Sequence, residues 1–472
     1  MMTYLDVGVR RIQPYLGRTP DLKGRRGASA WLSDATDRDK LVEWVRRHPV
    51  LGPAGVRVNE QAGQADGVVP LCLPPQSDAR IVAQEVFDYL HDRLPALDLA
   101  ASWAAADSYV EAHRSWKNTP DPAAVARSGP PVADFPPLES CGQCRVDPGL
   151  RRSEIHEKEP WLCADCLQRY HERYRSPGLR DGAVPVGAEL DLLTRLGLGH
   201  SQVSADFAEL AALGDEHSNG NHLATVFVDG NGIGALFDRV IASGDPDAKA
   251  RMSRAVSEAT REALYEATAA VCEGQVGAKV PVIPHVVGGD DVLVSVVADR
   301  AWRFVASYLR AFSRLLAADS TVRPFVTSGD DEETGASAGV VFAHSAFPFR
   351  RAVELADEAK DAAKRAYEGR LPALLWLDVT REGEQPPMHR QGWTLRDLER
   401  HDEAIRALRG VPPAGRSVLE RLVDIDDPAL SSARIHEYAR RLDRGAVIEP
   451  FLEDGVAAGR IADALALARW WR

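Results

Sequence analysis

Several features that define other classes of protein are scarce in this 472-residue sequence. No apolar run approaches the ~18–20 residues that a membrane-spanning helix needs, and stretches such as Val292 to Ala298 are far shorter. The opening residues, Met1 to Asp6, lack the segments of a signal peptide, so we expect a cytoplasmic protein. The chain has only six cysteines, which excludes a small disulfide-rich scaffold.

The sequence also lacks an excess of positive charge. The 57 Lys and Arg residues are outnumbered by 69 Asp and Glu residues, giving a net charge of −12. The surface as a whole is therefore not built for nonspecific nucleic-acid binding. Residues 1–31 are a local exception, because six basic residues there outnumber two acidic ones. This segment could contact phosphates or could simply be a solvated charged surface.

What is present is an ordinary globular composition, 45% hydrophobic and 27% charged, long enough for several domains. The patterns divide the chain into five predicted segments. These are an α+β domain at 1–117, a proline-rich linker at 118–140, a cysteine-bearing helical insertion at 141–200, a second α+β domain at 201–392 and a helical C-terminal domain at 393–472. In the first domain we predict a strand over Tyr4–Val9, a helix starting near Ala28 and a long helical stretch over 78–116.

The second α+β domain has the more regular pattern. Its predicted strands lie at 224–228, 282–287, 292–297 and 336–343, and its predicted helices at 249–272 and 301–318. This is the β-α-β-β-α-β order of a ferredoxin-like fold, extended by a helix at 349–367 and a strand at 374–377. The other α+β domain is open to being a variant of the same fold.

Three aspartates of this domain are expected to converge. Asp229 ends the first predicted strand, whereas Asp290 and Asp291 follow Gly288 and Gly289 in a hairpin. The first strand and the hairpin are neighbours in a ferredoxin-like sheet, and clustered carboxylates are stable mainly when cations such as Mg²⁺ or Mn²⁺ neutralise them. The two glycines would let a nucleotide approach the backbone. Such a site suits metal-dependent nucleotidyl transfer, although a solvated Gly-Gly-Asp-Asp turn is the alternative.

Several stretches of the second α+β domain also resemble a known family. They are Phe227–Gly234, Val287–Leu293, Ser337–Val341 and the helix from Ala356 to Lys364. In order and spacing they resemble the palm polymerase domain of the large subunit of type III CRISPR effector complexes, a relative of GGDEF diguanylate cyclases. Residues 4–32 resemble the first, catalytically degenerate palm of the Cmr-type members. The resemblance implies two ferredoxin-like palms, and synthesis of cyclic oligoadenylates from ATP when the complex binds target RNA.

The resemblance also implies roles for individual residues. Asp229, Asp290 and Asp291 would hold Mg²⁺ or Mn²⁺ and carry catalysis, while Gly288 and Gly289 would seat the nucleotide. Lys364 would reach the triphosphate, although a solvated lysine on an exposed helix is the alternative.

Two further stretches bear on nucleotide and metal binding. Arg25, Arg26 and Ser29 lie where the family's first palm has a nucleotide-contacting loop, which would let one nucleotide be donor and another acceptor. Many members carry a second acidic residue where this chain has Asn231, so Asp229 is the only acidic ligand expected from that loop.

The family often begins with an HD nuclease domain. The only His-Asp dipeptide here, His91-Asp92, falls within a predicted helical stretch of the first palm. We therefore expect no HD domain and no DNase activity from this chain.

Four of the six cysteines form two pairs, Cys141-x2-Cys144 and Cys163-x2-Cys166, separated by 18 residues. This is the spacing of a zinc ribbon, in which four thiolates surround Zn²⁺ and leave no open position for water. We predict a structural zinc site, and the family has a comparable zinc insertion between its palms. His156 and His171 are substitute ligands that the pattern does not need.

Together these features predict the nucleotide-polymerising subunit of an RNA-guided complex, with ATP, other complex subunits, guide RNA and target RNA as partners. One alternative is a nucleotidyl cyclase that works alone. A second alternative is a non-catalytic scaffold that only docks partner subunits and guide RNA, although the three intact aspartates argue against it.

Overall fold

Two sheets of related topology organise the chain. The structure is a computed structural model, and it describes residues 1–63, 67–117, 122–126, 139–155, 158–170, 187–199, 202–214, 221–242, 245, 247–272, 279–326, 332–385, 390, 392–423, 425, 427–441, 448, 451 and 459–471. We refer to residues 1–126 as the first unit and to residues 222–378 as the second unit.

The first unit is a ferredoxin-like sheet with helices. Its elements are β1 (Met2–Arg10), α1 (Ile12–Leu16), α2 (Leu22–Thr36), α3 (Arg38–Arg47), β2 (Arg57–Val58), β3 (Val68–Leu73), α4 (Ala79–Arg93), β4 (Asp98–Ala106), α5 (Tyr109–Lys117) and β5 (Ala124–Ala126). The strand order is β2-β3-β1-β4-β5, with β1 antiparallel to both of its neighbours. The predicted α+β architecture of this region is therefore confirmed.

Two local predictions for the first unit were wrong. The stretch 78–116 is not one helix, because β4 runs through it and pairs with β1 from Met2↔Ala106 to Arg10↔Asp98. Its alanine-rich sequence has the composition of a helix, but pairing along the whole of β1 overrides that local preference. Helix α2 also begins six residues before Ala28, where the Asp21 carboxylate accepts a hydrogen bond from Gly24 N at 2.7 Å and caps the helix.

The predicted linker contributes to the first sheet. Within 118–140, the three residues of β5 pair with Leu99 to Ala101 of β4. The prolines around this strand conceal it in the sequence.

The insertion packs directly on the first unit. It contains β6 (Arg151–Arg152), β7 (Trp161–Leu162), α6 (Ala164–Arg169), α7 (Ala188–Arg195) and, before the second unit, α8 (Phe207–Ala211). A Cβ added at Gly27 of α2 would lie 1.8 Å from the carbonyl oxygen of Arg169, so only glycine permits this helix contact. The buried Arg169 guanidinium binds Asp165 at 2.6 Å and donates to the Tyr15 carbonyl oxygen at 2.7 Å.

The second unit has the order predicted from the sequence. Its elements are β8 (His222–Gly230), α9 (Ile233–Ile241), α10 (Ala248–Cys272), β9 (Val282–Gly288), β10 (Asp291–Val297), α11 (Ala301–Ala318), β11 (Ala336–His344), α12 (Phe349–Ala366), β12 (Ala373–Asp378) and α13 (Val379–Glu382). Together with β13 (Trp393–Thr394), the sheet order is β13-β12-β11-β8-β10-β9. Strands β11-β8-β10-β9 form the ferredoxin-like part, and the extra parallel strand is β12.

Helices cover both faces of this sheet. One face packs Val226 and Val294 against α10 and α11, and the other packs Phe227 and Leu293 against α12. Because both faces are buried, β8 has the continuous apolar run seen in its sequence. Helix α12 meets the sheet through buried apolar residues at helical spacing, such as Phe349, Ala352, Val353 and Ala356.

The C-terminal region is helical, as predicted. It contains α14 (Leu395–Leu408), α15 (Pro413–Val423), α16 (Pro428–Arg441) and α17 (Gly459–Trp470). The Trp470 ring stacks on Phe342 of β11 with centroids 5.2 Å apart, and its Nε1 donates to Asp378 at 3.0 Å. This region therefore shares the core of the second unit. Among the helices described, none is long and apolar enough to cross a membrane.

Candidate active site

The strand ends of the second unit bring the predicted acidic residues together. Val292 of β10 pairs with Val228 of β8, so Asp291 lies beside Asp229 across the two strands. Asp291 also pairs with Gly288 to close the β9–β10 hairpin, and Gly289 adopts a φ of +60° in its turn. The hairpin thus places the acidic pair at the end of β8, as the sequence predicts.

Gly230 allows Asp290 to approach the end of β8. A Cβ added at Gly230 would lie 2.8 Å from Asp290 Oδ2 and 2.4 Å from Cγ1 of Ile233. A larger residue at 230 would therefore push the Asp290 carboxylate away from Asp229.

Burial and mutual repulsion raise the pKa values of the hairpin carboxylates. Burial is the largest cause for Asp290, and the Asp229 charge adds to it, which raises the Asp290 pKa to about 6. Burial and then the charges of Asp229 and Asp290 raise the Asp291 pKa to about 7. A nearby cation would favour the charged form of both carboxylates and lower their pKa values.

Two lysines of α12 supply positive charge to this cluster. Lys364 Nζ donates to Asp229 Oδ2 at 2.5 Å and to the Gly230 carbonyl oxygen at 2.9 Å. Lys360 Nζ lies 3.6 Å from Asp229 Oδ2 and forms closer ion pairs with Asp357 at 2.6 Å and Asp361 at 3.2 Å. The structure therefore places Lys364 at the carboxylates and not in solvent. Lys360 was not predicted as a site residue, although its i, i+4 spacing from Lys364 was a usable signal.

The donors at this end of the sheet fit a hard divalent cation. They are carboxylate oxygens from three aspartates and the Gly230 carbonyl, the oxygen ligands that Mg²⁺ and Mn²⁺ prefer. The three aspartates do not form a tight cluster. Within the part of the chain that the structure describes, only the four paired cysteines form a group of three or more ligands with all atoms within 4.8 Å.

The side chain of Asn231 is hydrogen-bonded to neighbouring parts of the second unit. Its Nδ2 donates to the Leu371 carbonyl oxygen at 2.9 Å, and its Oδ1 accepts from Ser337 Oγ at 2.8 Å. Both ends of the amide thus bind protein groups, and the side chain is only 5% exposed. Asp229 is the acidic residue of this loop that faces the hairpin, as the sequence suggests.

A cavity of about 290 Å³ lies beside the glycine turn, between the two units. The first unit contributes Arg38, Glu60 and Gly63, while α10 and the turn form the opposite wall. Thr260 Oγ1 of α10 donates to the Gly289 carbonyl oxygen at 2.8 Å and fixes the turn against the helix. The cavity is polar and is lined by Gly288 and Gly289 of the turn, while Asp229, Asp290 and Asp291 are not among its lining residues.

Sequence reasoning did not identify the α10 residues that line this cavity. Besides Ala250 and Thr260, four polar residues of α10 line it, namely Arg254, Ser257, Glu258 and Arg261. Their i, i+3, i+4, i+7 spacing marks one helix face, but only the folded chain shows that the glycine turn and the first unit meet this face.

The structure gives Arg25 and Arg26 internal partners instead of an open nucleotide pocket. Arg25 is 3% exposed, donates to the Thr19 carbonyl oxygen and stacks 3.5 Å from the centroid of the Phe349 ring. Arg26 is 7% exposed and binds both oxygens of Glu189, at 2.6 and 2.7 Å. The third predicted residue, Ser29, lines a cavity of only about 20 Å³ with them.

This placement argues against the predicted nucleotide contacts of Arg25, Arg26 and Ser29. All three residues lie in the first half of helix α2, which packs between the insertion and β9 of the second unit. The positive charges of Arg25 and Arg26 bind α2 to Phe349 of α12 and to Glu189 of the insertion.

The four paired cysteines converge as the ribbon spacing predicts. All four are buried, and Sγ of Cys144 lies 3.8 Å from Sγ of Cys163. Hydrogen bonds from Cys144, Cys163 and Cys166 lower the pKa of the Cys141 thiol. A four-sulfur cluster of this size fits a tetrahedral zinc ion.

Cys72, Cys272 and His91 are not among the residues that form either of these two sites. His156 and His171 fall outside the described residues, and Cys72 and Cys272 are half-buried single thiols. His91 lies on α4, where its Nε2 contacts the Leu97 carbonyl oxygen at 2.9 Å.

Comparisons with known proteins point to one family. Residues 222–370 match the second palm domain of Cas10/Cmr2. No curated protein matches the chain.

The fold is similar to solved structures of Csm1. In the Csm1-Csm4 cassette in complex with cA4, Csm1 is matched at 15% identity and a TM-score of 0.56, over 99% of this chain and 69% of that one. The same cassette in complex with cA3 is matched at 14% identity and a TM-score of 0.56, with the same coverage. The cassette with pppApA is matched at 15% identity and a TM-score of 0.56, again over 99% and 69% of the two chains.

At this level of identity the solved structures show a shared fold, while the family match identifies the domain that carries the acidic hairpin. Residues 222–370 match the second palm domain of Cas10/Cmr2, which confirms over this part of the chain the predicted resemblance to the large subunit of type III CRISPR effector complexes.

Proposed function

We propose that this protein synthesises cyclic oligoadenylates from ATP as the large subunit of an RNA-guided type III CRISPR complex. The observation that carries the proposal is the convergence of Asp229, Asp290 and Asp291 at a hairpin whose two glycines also line a polar cavity. A bare metal-binding turn would not need such a cavity. A scaffold would need neither the cavity nor carboxylates held against their own repulsion.

In this proposal the chain holds its substrates with groups from both units. Asp229, Asp290, Asp291 and the Gly230 carbonyl would hold Mg²⁺ or Mn²⁺, which when bound supplies charge neutralisation at the α-phosphate. Gly288 and Gly289 let the nucleotide lie against the backbone, and Thr260 fixes their turn from α10. Arg254 and Arg261 are placed to bind phosphate oxygens in the cavity.

The proposed reaction joins two nucleotides held across the cavity. The 3′-hydroxyl oxygen of one attacks the α-phosphorus of the other while its proton passes to one of the hairpin carboxylates. The bond from that phosphorus to the oxygen bridging the α- and β-phosphates then breaks and releases pyrophosphate. Lys364 and the cavity arginines would neutralise charge on the leaving pyrophosphate. The first unit forms the opposite wall of the cavity through Arg38, Glu60 and Gly63.

Partners follow from the same family. The matched Csm1 structures contain Csm4, and we propose that this chain assembles with a corresponding subunit, guide RNA and target RNA. The four cysteines would hold a structural zinc ion that fixes the insertion to α2.

The test is to incubate the protein with each nucleoside triphosphate and Mg²⁺ or Mn²⁺, alone and within its complex with target RNA. Mass spectrometry of the products should show cyclic oligoadenylates from ATP when target RNA is bound. Products formed equally well by the isolated chain, without co-purifying small RNA, would favour the stand-alone cyclase. No product under any condition, from an RNA-bound complex, would favour the scaffold.

A further inference from the structure

Lys364 makes contacts that a metal ion would make. Its ammonium nitrogen lies 2.5 Å from Asp229 Oδ2 and 2.9 Å from the Gly230 carbonyl oxygen. These are a carboxylate oxygen and an adjacent main-chain oxygen at the end of β8, both hard donors suited to a divalent cation. The positive charge of Lys364 thus contacts two loop oxygens at the end of β8, one from Asp229 and one from Gly230.

The packing of α12 holds Lys364 in this position. A Cβ added at Gly339 of β11 would lie 1.8 Å from the Ala356 carbonyl oxygen and 2.5 Å from Lys360 N. The helix backbone therefore rests directly on the sheet. This close approach brings the last turns of α12 over the end of β8. The side chains of Lys364 and Asp229 are only 24% and 25% exposed, so solvent screens their contact weakly.

We propose that Lys364 competes with the divalent cation for Asp229 and the Gly230 carbonyl, and that it gives up these oxygens when the cation arrives with a nucleotide. The inference rests on the proposed function for the position of the triphosphate. It assigns Lys364 two alternative partners, the loop oxygens and a phosphate group.

The chemistry makes the exchange favourable only with nucleotide present. A cation that binds alone must displace an ammonium group from two charge-assisted contacts and leave it without an anionic partner. A cation that arrives with a triphosphate brings new oxygens for the released lysine. Metal and nucleotide should therefore bind cooperatively, and Lys364 should be a source of the coupling.

Lys360 provides a matched control on the same helix. It lies 3.6 Å from Asp229 Oδ2, and its nearer contacts are Asp357 and Asp361. Removing Lys360 subtracts the same charge from the neighbourhood without freeing the two loop oxygens. A general electrostatic effect would appear in both lysine variants, whereas competition would appear in Lys364→Met alone.

The experiment measures Mn²⁺ binding to the full-length chain by electron paramagnetic resonance of free Mn²⁺, without nucleotide. Lys364→Met should bind Mn²⁺ about tenfold more tightly than the wild type, because a charge-assisted contact no longer opposes the metal. Lys360→Met should change the affinity by about twofold at most, and Asp229→Asn should weaken it. A non-hydrolysable ATP analogue should tighten Mn²⁺ binding in the wild type, and much less in Lys364→Met.

Equal Mn²⁺ affinity in wild type and Lys364→Met, or equal tightening in both lysine variants, would overturn the competition. If Lys364→Met does not fold, Lys364→Gln allows the same comparison with a polar side chain of similar length. Unchanged Mn²⁺ binding in Asp229→Asn would instead show that the metal lies elsewhere, which counts against the proposed function itself. The two failures are therefore distinguishable.

Discussion

The first and second units share a ferredoxin-like strand order but differ at the ends of the equivalent strands. In the second unit, β8 ends at Asp229-Gly230 beside the β9–β10 hairpin, whose two-residue turn is Gly289-Asp290. In the first unit, β1 ends at Arg10, and β2 and β3 are joined by a longer connection that includes Glu60 and Gly63. The same fold thus presents the proposed metal ligands in one copy and a cavity wall in the other.

Acidic residues show the same difference. Asp6 of β1 is half-buried and accepts a hydrogen bond from Tyr109 at 2.6 Å, and the Tyr109 hydroxyl in turn accepts from Lys249 of α10 at 2.9 Å. This network joins the two units. Asp290 and Asp291, by contrast, lie against other carboxylates. A carboxylate with internal donors stabilises a fold, whereas carboxylates facing each other are suited to a cation.

The largest expected effect concerns the cysteine cluster that packs against the first unit. We expect about one zinc per chain, and Cys144→Ser or Cys163→Ser should cost several kcal/mol of folding free energy, because metal binding and folding of such modules are coupled. Elemental analysis and thermal denaturation provide the measurements. Folded, purified protein without zinc would contradict the assignment.

The next effect tests whether the start of α2 is structural. Arg26→Ala should destabilise the protein by about 3–5 kcal/mol, because it leaves the buried Glu189 carboxylate without its partner. Glu189→Ala should have a similar effect, and the double variant should lose less than the sum of the two. Denaturant unfolding measures all three. A stable Arg26→Ala that binds ATP poorly would restore the nucleotide role for this residue.

A smaller effect is expected on ATP binding, and it should differ between arginines on the two walls of the cavity. Arg254→Ala and Arg261→Ala should each weaken ATP binding by about tenfold, since each removes a charge-assisted contact with phosphate. Arg38→Ala on the first unit should have less effect, because Arg38 is exposed and paired with Glu60 at 2.7 Å. Isothermal titration with a non-hydrolysable ATP analogue makes the comparison. A larger loss for Arg38→Ala would assign the phosphates to the first unit.

The smallest effect concerns stability against pH. The pKa of Asp291 is raised to about 7, so the native state holds a proton that the unfolded state releases from about pH 4 upward. Ionisation therefore costs stability as pH rises through that range, and the cost is complete above about 7. Without added Mg²⁺ or Mn²⁺, Asp291→Asn should raise stability by about 1–2 kcal/mol at pH 8 and by little at pH 4.

Asp6→Asn is the control for that measurement. Burial also raises the pKa of Asp6, but the Tyr109 hydroxyl donor and the Lys249 charge oppose that shift, so Asp6→Asn should gain less stability at pH 8 than Asp291→Asn. Thermal melts of both variants across this pH range suffice. A stabilised Asp6→Asn with an unchanged Asp291→Asn would reverse the distinction drawn between the two units.

The second unit was predictable because its local signals agree with its tertiary structure. Continuous apolar runs mark strands buried on both faces, and the Gly-Gly-Asp-Asp turn marks the hairpin between two of them. Strand β4 was not predictable in the same way, because Leu99 to Ala106 is rich in alanine and its partner β1 is distant in sequence. Such a strand forms because of its pairing with a distant strand, and the local sequence of the segment does not indicate it.

The residues of the candidate site also differ in whether the sequence alone could identify them. Asp229, Asp290 and Asp291 could be found because ferredoxin-like topology makes their strands neighbours. Arg254 and Arg261 could not be found in this way, because their face of α10 lines a cavity only when the first unit packs opposite it. Arg25 and Arg26 have the composition of a phosphate-binding loop, but the insertion and α12 pack over them, which the local sequence does not reveal.

The most direct test replaces both Asp290 and Asp291 by alanine in the assembled complex with target RNA. Removal of two like charges from a crowded anionic site should leave the fold intact or more stable, and assembly should persist. Synthesis of oligonucleotides from ATP, followed by mass spectrometry, should fall by orders of magnitude, because the chain loses ligands that hold metal at the triphosphate. A folded, assembled double variant that still makes wild-type amounts of product would contradict the account.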